Sequence, residues 1–219
     1  MRESILQFVR LCADTLPLDT PIYEFGSLQV PGQEGFADLR RFFPGKAYVG
    51  ADIQHGTGVD VILDLHNIDL PPETAQTVLV LDTLEHVEFP WKAIEEVHRI
   101  LKPGGVLVIS SVMKFHIHCY PHDYWRFTPE AFKSLLRRFD LSIVDFAGVP
   151  IFPHTVIAVA CKGRIPEYCI DSFLTGLARW KPNWRNPFGP GLRGRVLSLM
   201  PDNMLEACRT VRSAVSAHR

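Results

Sequence analysis

Hydrophobic positions along the chain fall into blocks that alternate between strand length and helical spacing. The stretch from Val78 to Ser111 contains two continuous apolar runs joined by a segment with helical periodicity. In that segment Pro90 suits a first helical turn, and the run Pro103, Gly104 and Gly105 marks a break after it. Two buried strands joined by a helix predict a right-handed crossover within a parallel sheet.

The pattern continues on both sides of this unit. Further strands are predicted at 21–26, 46–52, 58–64, 141–146 and 155–161, and helices near 5–12, at 35–43, after the N-cap Thr128, and at 170–180. We therefore predict an α/β fold, with a Rossmann-like, doubly wound, mostly parallel seven-stranded sheet, an N-terminal helix and a C-terminal helical extension. Residues 1–161 form the main domain in this prediction, and 162–219 the extension.

The formal net charge of -1 conceals two oppositely charged parts. Residues 1–161 have a net charge of -7 and residues 162–219 one of +6. A basic tail can bind anionic partners or dock on its own acidic domain, and the dispersed arginines favour docking. A last helix is predicted at about 202–215, and the two C-terminal helices could cap the active site or form a homodimer face.

Signals for export or membrane insertion are not expected in this sequence. The first 16 residues lack the apolar core of a secretory signal, and no apolar run approaches about 18 residues. The five cysteines are widely spaced and include no Cys-x-x-Cys pair. They favour reduced thiols and a cytoplasmic location.

Acidic residues end four of the predicted strands, at Glu24, Asp52, Asp64 and Asp82. In open α/β sheets ligands bind beyond the carboxyl ends of the strands. Carboxylates at that edge predict a nucleotide-like ligand.

Three motifs resemble a known family: Glu24-Phe25-Gly26-Ser27, Leu-Asp-Thr-Leu-Glu-His-Val at 81–87, and Leu-Lys-Pro-Gly-Gly-Val-Leu-Val-Ile-Ser at 101–110. Over residues 21–161 the chain resembles class I S-adenosylmethionine-dependent methyltransferases, in the group of small-molecule and ubiquinone-pathway enzymes. The resemblance implies S-adenosylmethionine as cofactor and a small-molecule methyl acceptor.

The resemblance also assigns cofactor contacts to individual residues. Those implied are Glu24, Gly26 and Ser27 in the loop after the first strand, Asp52 and Ile53 at the ribose, Asp64 and Leu65 at the adenine, and Asp82 and Thr83 at the methionine end. A carboxylate such as that of Asp52 can accept hydrogen bonds from both ribose hydroxyls.

The glycine loop departs from the family pattern. Leu28 and Val30 stand where the second and third glycines are usual, and Gly32 and Gly35 lie downstream. Glycine serves where the backbone approaches a ligand or takes positive φ. Either a longer loop uses Gly32 and Gly35, or the cofactor is held loosely.

Asp82, Glu85 and His86 follow the spacing of one helical turn, which would gather two carboxylates and an imidazole. Such donors can hold Mg²⁺ or Mn²⁺. A similar Glu-x-x-Glu-His element holds a divalent ion in ubiquinone-pathway O-methyltransferases and small-RNA 2′-O-methyltransferases. Here we expect no metal, with Glu85 and His86 as polar supports of the loop.

The segment 114–132 is rich in histidine and aromatic residues, follows the fifth predicted strand and would reach over the transferred methyl group. We predict His122 as the general base, with Asp123 as the second catalytic residue, because histidine titrates near neutrality. His116 and His118 are weaker candidates, and Arg126 could brace Asp123.

A base at this position favours a hydroxyl oxygen as the methyl acceptor. The string His-Asp-Tyr-Trp-Arg-Phe-Thr is similar to methyltransferase-like proteins of glycan and secondary metabolism. The acidic main domain lacks a basic stripe, so no nucleic-acid partner is expected. Two alternatives stay open: a nicotinamide-dependent oxidoreductase, which expects Gly-x-Gly-x-x-Gly after the first strand, and a non-catalytic Rossmann-like binding module.

Overall fold

The strands of the chain form a single seven-stranded sheet in a computed structural model that describes residues 1–32, 34–118 and 121–185. The strands are β1 (Ile22–Phe25), β2 (Tyr48–Asp52), β3 (Val61–Ile62), β4 (Ala75–Leu81), β5 (Leu101–Val112), β6 (Leu141–Val149) and β7 (Phe152–Lys162). The α-helices are α1 (Glu3–Thr15), α2 (Pro90–Ile100), α3 (Pro129–Leu135) and α4 (Glu167–Trp180).

The sheet order is β3-β2-β1-β4-β5-β7-β6. Strands β1 to β5 pair in parallel, and β7 runs antiparallel to both β5 and β6. This arrangement confirms the predicted α/β, Rossmann-like, mostly parallel sheet. The carboxyl ends of β1, β2 and β4 consequently meet at one edge.

A separate hydrophobic core covers each face of the sheet. One core joins α1 and α4 to side chains of β1, β4, β5 and β7, and the other joins α2 and α3 to the opposite side chains of β4 and β5. Because both faces are covered, the central strands read as continuous apolar runs, as parallel strands do.

Two predicted helix starts are confirmed. Helix α2 begins at Pro90, and the Thr128 hydroxyl caps α3 by accepting the backbone N–H of Ala131 at 3.1 Å. The Thr128 hydroxyl satisfies one of the amide groups that a helix leaves without partners in its first turn, and Pro90 has no amide hydrogen that would need a partner there.

The predicted helix at 35–43 was wrong. The structure has only a 3₁₀ turn at Arg40–Phe42. Gly32 and Gly35 take φ of +81° and +73°, a left-handed conformation that interrupts a helix, and the Asp38 side chain caps Arg40 locally at 3.0 Å. The helical spacing of apolar residues in 35–43 therefore reflects the packing of an irregular connection.

Helix α4 packs directly on α1. The ring of Phe8 lies 6.3 Å from that of Phe173 and 5.8 Å from that of Trp180, and the Trp180 indole N–H donates to the Ser4 carbonyl at 3.2 Å. The first helix of the predicted extension thus contributes to the core of the main domain. The division at 161/162 stays a prediction, and the helix predicted at 202–215 lies outside the described residues.

Among the described residues, none of the helices is long and apolar enough to cross a bilayer. Cys12, Cys161 and Cys169 are buried free thiols.

Candidate active site

A cavity of about 1070 Å³ opens at the carboxyl ends of β1, β2 and β4. All nine residues predicted to bind the cofactor line it: Glu24, Gly26, Ser27, Asp52, Ile53, Asp64, Leu65, Asp82 and Thr83. The predicted base His122 lines it too, whereas Asp123 is not among the lining residues. The convergence follows from the topology, since parallel strands end at the same edge.

Gly26 sits at a point where the backbone leaves no room for a side chain. Its φ is +83°, and a Cβ atom there would lie 2.1 Å from Oγ1 of Thr83. The Thr83 hydroxyl in turn lies 3.0 Å from the Leu81 carbonyl and 3.3 Å from that of Phe25. Only glycine lets the β1 loop pass this close to the end of β4.

Asp52 organises the loop that follows β1. Its carboxylate accepts the backbone N–H of Leu28 at 3.2 Å and that of Gln54 at 3.0 Å. Leu28 and Val30 line the cavity, while Gly32 and Gly35 do not. The loop therefore approaches the site through residues that replace the usual glycines.

Two glycines outside the usual motif permit this path. At Gly58, with φ +93°, a Cβ would lie 2.5 Å from the Ser27 carbonyl oxygen, and at Gly50 it would lie 2.1 Å from the Gly58 carbonyl oxygen. Sequence reasoning missed this pair. The spacing of Gly50 and Gly58 in the sequence matches no recognised motif. The two glycines come against the loop after β1 only in the folded chain.

Glu24 is buried and accepts a hydrogen bond from the Tyr48 hydroxyl at 2.6 Å. Burial raises the pKa of Glu24 to about 7, although the Tyr48 hydrogen bond and Arg40 act in the opposite direction. A carboxyl group with such a pKa is partly protonated at neutral pH.

Asp64 orders the far wall of the cavity through its neighbour His66. Its Oδ1 lies 2.8 Å from both the backbone nitrogen and Nδ1 of His66, and His66 Nε2 accepts the backbone N–H of Phe89 at 3.2 Å. The network ties the end of β3 to the start of α2.

Asp82 has φ +48°, an unusual conformation for a residue other than glycine. Its carboxylate receives Nη2 of Arg2 at 2.8 Å, Nε of Arg2 at 3.1 Å and the Ser110 hydroxyl at 2.9 Å. Burial acts to raise the pKa of Asp82, but the Arg2 charge and these hydrogen bonds together lower it. Asp82 is thus held as a carboxylate at the centre of the site.

Arg2 also donates to the hydroxyl of Thr155 and lies over the ring of Phe115, 5.7 Å from its centroid. Sequence reasoning missed this residue, because a single arginine at the start of an amphipathic helix carries no signal of its eventual partner.

Glu85 lies in a 3₁₀ turn at Leu84–His86 and is almost fully buried, with 1% of its surface exposed. Its Oε2 accepts the Ser111 hydroxyl at 2.6 Å, and its carbonyl accepts the backbone N–H groups of Tyr124 and Trp125 at 2.8 and 3.2 Å. Burial and the Asp82 charge raise the pKa of Glu85 to about 7.

The loop after β5 is fixed to this turn by His86, whose Nδ1 lies 2.5 Å from the His122 carbonyl oxygen. The His122 ring lies at the cavity, tilted against the ring of Tyr124 with 5.7 Å between centroids. The contact between His86 and the His122 carbonyl oxygen therefore holds the predicted base, His122, at the cavity.

Asp123 points into the loop. Its carboxylate binds Arg126 Nη1 at 2.5 Å and Nη2 at 2.8 Å, and accepts the backbone N–H of His118 at 2.8 Å. The Arg126 hydrogen bonds hold the pKa of Asp123 well below its usual range. The expected pairing of Arg126 with Asp123 is confirmed, and the geometry suits Asp123 to ordering the loop.

Comparison with known proteins agrees with this geometry. A family model described as a methyltransferase domain matches residues 40–109. No curated protein matches the chain.

Solved structures with the same fold include three methyltransferases. An S-adenosylmethionine-dependent methyltransferase of Archaeoglobus fulgidus is 16% identical, with a TM-score of 0.58 over 74% of this chain and 95% of that one. One from Mesorhizobium loti is 18% identical, with a TM-score of 0.52 over 71% and 97%. The 1,6-didemethyltoxoflavin-N1-methyltransferase of Burkholderia thailandensis, solved with S-adenosylhomocysteine, is 18% identical, with a TM-score of 0.50 over 65% and 71%. At these identities the likeness is one of fold.

Proposed function

We propose that the chain is a class I S-adenosylmethionine-dependent methyltransferase that methylates a hydroxyl oxygen of a small molecule of the glycan or secondary-metabolite type. The proposed methyl donor is S-adenosylmethionine.

The observation that carries the proposal is that two chemically different sets of residues line one cavity. The first set consists of carboxylates and loop residues at the ends of β1, β2 and β3, and the second of aromatic and imidazole side chains of the loop after β5: Phe115, His116, His118, His122 and Tyr124. Ligand pockets usually reach up to about 1,000 Å³, so the cavity has room for a cofactor and a small acceptor together. We propose that the transferred methyl group lies near Asp82, which also lines the cavity.

We propose that Asp52 binds the ribose hydroxyls, that Asp64 and Leu65 contact the adenine, and that Asp82 and Thr83 bind the methionine end. Gly26 and Ser27 provide backbone at the sulfonium side, with Glu24 behind them. A sulfonium methyl is already activated, so alignment of acceptor, methyl carbon and sulfur supplies roughly 7 to 11 kcal/mol of the barrier reduction.

Oxygen as the acceptor atom is supported by the histidines of the second set of lining residues. A hydroxyl must lose its proton as the methyl group arrives, and His122 lies at the cavity as the proposed base. We propose that Asp123 acts on catalysis through the loop, because its carboxylate is already bound by Arg126.

A small acceptor is favoured over a nucleic acid by the charge of the cavity. Asp52, Asp64, Asp82 and Glu88 all line it, and Arg2 is the only arginine or lysine among the lining residues that the structure describes. A phosphate backbone would be repelled by these carboxylates. The oxidoreductase alternative lacks support, since Leu28 stands at the second glycine of the dinucleotide fingerprint.

The test combines binding with turnover. Calorimetry with S-adenosylmethionine and S-adenosylhomocysteine measures the cofactor site, and isotope-labelled S-adenosylmethionine is offered to matched acceptors bearing phenolic hydroxyl, sugar hydroxyl, carboxyl, amine or thiol groups. We expect S-adenosylhomocysteine formation with a hydroxyl acceptor and a methyl ether by mass spectrometry. Labelling confined to amines or thiols would overturn the proposal of oxygen.

A further inference from the structure

A chain of hydrogen bonds joins the 3₁₀ turn that follows α4 to the cavity. The carbonyl oxygen of Trp184, at the end of that turn, lies 2.9 Å from Nε2 of His154, and Nδ1 of His154 lies 2.8 Å from the Thr155 hydroxyl oxygen. Arg2 donates to that hydroxyl and also to the Asp82 carboxylate. We propose that His154 is a positioning residue for methyl transfer, because through the Thr155 hydroxyl it fixes the guanidinium of Arg2. Arg2 in turn holds Asp82, the proposed partner of the methionine end of the cofactor.

The chemical roles of the groups fix the direction of this chain. A carbonyl oxygen only accepts, so the proton of a neutral His154 ring lies on Nε2 and Nδ1 carries a lone pair. Nδ1 therefore accepts from the Thr155 hydroxyl, whose oxygen accepts from Arg2. An arginine side chain only donates, so the same direction follows from the other end. One arrangement of protons satisfies the whole chain.

Burial makes this chain difficult to replace by water. His154 is 3% exposed, and Thr155 is fully buried. Burial lowers the pKa of His154 to about 4, although its hydrogen bond to the Trp184 carbonyl acts in the opposite direction. The imidazole is therefore neutral at neutral pH, as the direction of the chain requires. Buried polar groups are costly to leave without partners, so the loss of one member should displace its neighbours.

A β-bulge allows two consecutive residues to share a side-chain hydrogen bond. Side chains of consecutive strand residues normally point to opposite faces of the sheet. Ala147 of β6 pairs with Thr155 of β7, but the next residue of β6, Gly148, pairs with Pro153. His154 is therefore the extra residue of β7, and a bulge of this kind changes the direction of a side chain. The bulge brings the His154 ring beside the Thr155 hydroxyl.

The backbone of His154 also holds the loop that carries the proposed base. Its carbonyl oxygen accepts the backbone N–H groups of Met113 and Lys114, at 3.1 and 3.3 Å. Strand β5 ends at Val112, so these two residues begin the loop that leads to His122. His154 is not among the described residues that line the cavity. It therefore acts on the reaction through its contacts with other residues.

The inference rests on the proposed function, which assigns Asp82 to the cofactor, and adds the residues that keep Asp82 in place. Methyl transfer needs the acceptor oxygen, the methyl carbon and sulfur in line, and a displacement of about 1 Å can reduce the rate about a hundred-fold. Arg2 makes two hydrogen bonds to the Asp82 carboxylate. Release of Arg2 from Thr155 should therefore weaken cofactor binding and slow turnover together.

The test separates the hydroxyl of Thr155 from its shape. Thr155→Val removes the hydroxyl at nearly constant volume, and Thr155→Ser retains it. Thr77→Val is the matched control, since Thr77 is also fully buried, its hydroxyl donates to the Asp19 carbonyl at 2.8 Å, and it lies outside the described cavity lining. Thermal unfolding compares the stability of the two valine variants.

Calorimetry with S-adenosylhomocysteine on the full chain gives the comparison. We expect about a ten-fold loss of affinity in Thr155→Val, within the range for residues that couple to a site without touching its ligand. Thr155→Ser should recover most of that loss, and Thr77→Val should stay within about two-fold of the wild type. Wild-type affinity in Thr155→Val, or an equal loss in Thr77→Val, would overturn the inference alone. An absence of binding in the wild type would overturn the proposed function itself.

His154 is tested by substitution and by spectroscopy. His154→Phe keeps an aromatic ring without the two nitrogens, so it should lose about as much affinity as Thr155→Val. The double variant should lose no more than about the larger single loss, because both changes break one chain, and additive losses would contradict the connection. Nitrogen-15 NMR of the wild type at neutral pH needs no variant. The His154 ring should be neutral with its proton on Nε2, and a ring that is charged or protonated on Nδ1 would overturn the inference.

Discussion

Arg2 and Asp82 form an ion pair with two hydrogen bonds across the cavity, although 80 positions separate them in the chain. Both side chains are largely buried, at 17% and 15% exposed. The pair ties the start of α1 to the end of β4, so the first helix is a structural part of the site.

Removing one partner of this pair should destabilise the protein. We expect Arg2→Met to lower the free energy of unfolding by roughly 3 kcal/mol, because it leaves the Asp82 carboxylate buried without its cation. The double variant with Asp82→Asn should lose less than the two single losses added together. Urea unfolding of all three measures the coupling, and Arg10→Met, on the exposed face of α1, is the control. Additive losses would contradict a direct interaction.

Gly26→Ala should impair both folding and cofactor binding. The new Cβ would meet Thr83 Oγ1 at 2.1 Å in addition to the strain of a positive φ. Gly45 has a similar φ of +74° with nothing within 4 Å of its added Cβ, so Gly45→Ala isolates the strain, at about 1 to 2 kcal/mol. Thermal unfolding should show the larger loss for Gly26→Ala. Calorimetry should show weaker S-adenosylmethionine binding for that variant only.

Asp52→Asn should weaken S-adenosylmethionine binding by about ten- to a hundred-fold. A hydrogen bond to a charged group contributes about 1.5 to 3 kcal/mol, and an amide can accept only through its oxygen. Calorimetry with S-adenosylhomocysteine measures the loss without turnover. Asp140→Asn, at an exposed position on the other side of the domain, should bind normally. Unchanged affinity in Asp52→Asn would remove Asp52 from the proposed ribose site.

The pKa of Glu24 predicts a specific dependence of stability on pH. Burial raises that pKa from 4.5 to about 7, so between these values the folded protein keeps a proton that the unfolded chain releases. The contribution of Glu24 to the free energy of unfolding therefore falls as the pH rises from about 4.5 to about 7 and then levels off. Glu24→Gln keeps a hydrogen-bond acceptor for Tyr48 and removes this part of the fall, while Glu85, whose pKa is also raised to about 7, still contributes its own part.

Urea unfolding at pH 5 and pH 8 measures the effect. Relative to the wild type, Glu24→Gln should be more stable at pH 8 than at pH 5, and Glu130→Gln, on the exposed face of α3, should follow the wild type. A parallel pH dependence in Glu24→Gln and the wild type would show that the Glu24 carboxyl is not the group responsible.

His122→Asn should lower kcat with a hydroxyl acceptor by about a hundred- to ten-thousand-fold, the range of general base catalysis. The affinity for S-adenosylhomocysteine should stay within two-fold, since the residues proposed to bind the cofactor lie elsewhere in the chain. The rate should recover partly at high pH, where the acceptor ionises in solution. His55→Asn is the control, since His55 is exposed and is not among the described residues lining the cavity. A kcat equal to that of His55→Asn would exclude His122 as the base.

The sheet and most helices could be predicted because their signals are local. The apolar runs of β4 and β5, Pro90 at the start of α2 and the Thr128 cap each act within a few residues. The helix prediction at 35–43 failed because glycines with positive φ and packing contacts determine the backbone there. The spacing of hydrophobic residues reports neither.

That the residues predicted to bind the cofactor meet at one cavity could be foreseen, because the topology gathers the ends of parallel strands without any detail of the side chains. The position of Arg2 at the cavity could not be foreseen. Arg2 reaches it through a contact between distant parts of the chain, from the start of α1 to the end of β4.

The irregular connection after β1 has a consequence for solution experiments. Its backbone N–H groups make isolated hydrogen bonds, such as that of Leu28 to the Asp52 carboxylate and that of Gln29 to the Thr57 carbonyl. These bonds are not part of the cooperative hydrogen-bond pattern of a helix. Contacts of this kind open at low energetic cost, so we expect rapid deuterium uptake here beside slowly exchanging central strands. A ligand that settles against Asp52 would slow that uptake. Peptides from this connection can therefore report the binding of the cofactor and its analogues before any methyl acceptor has been identified.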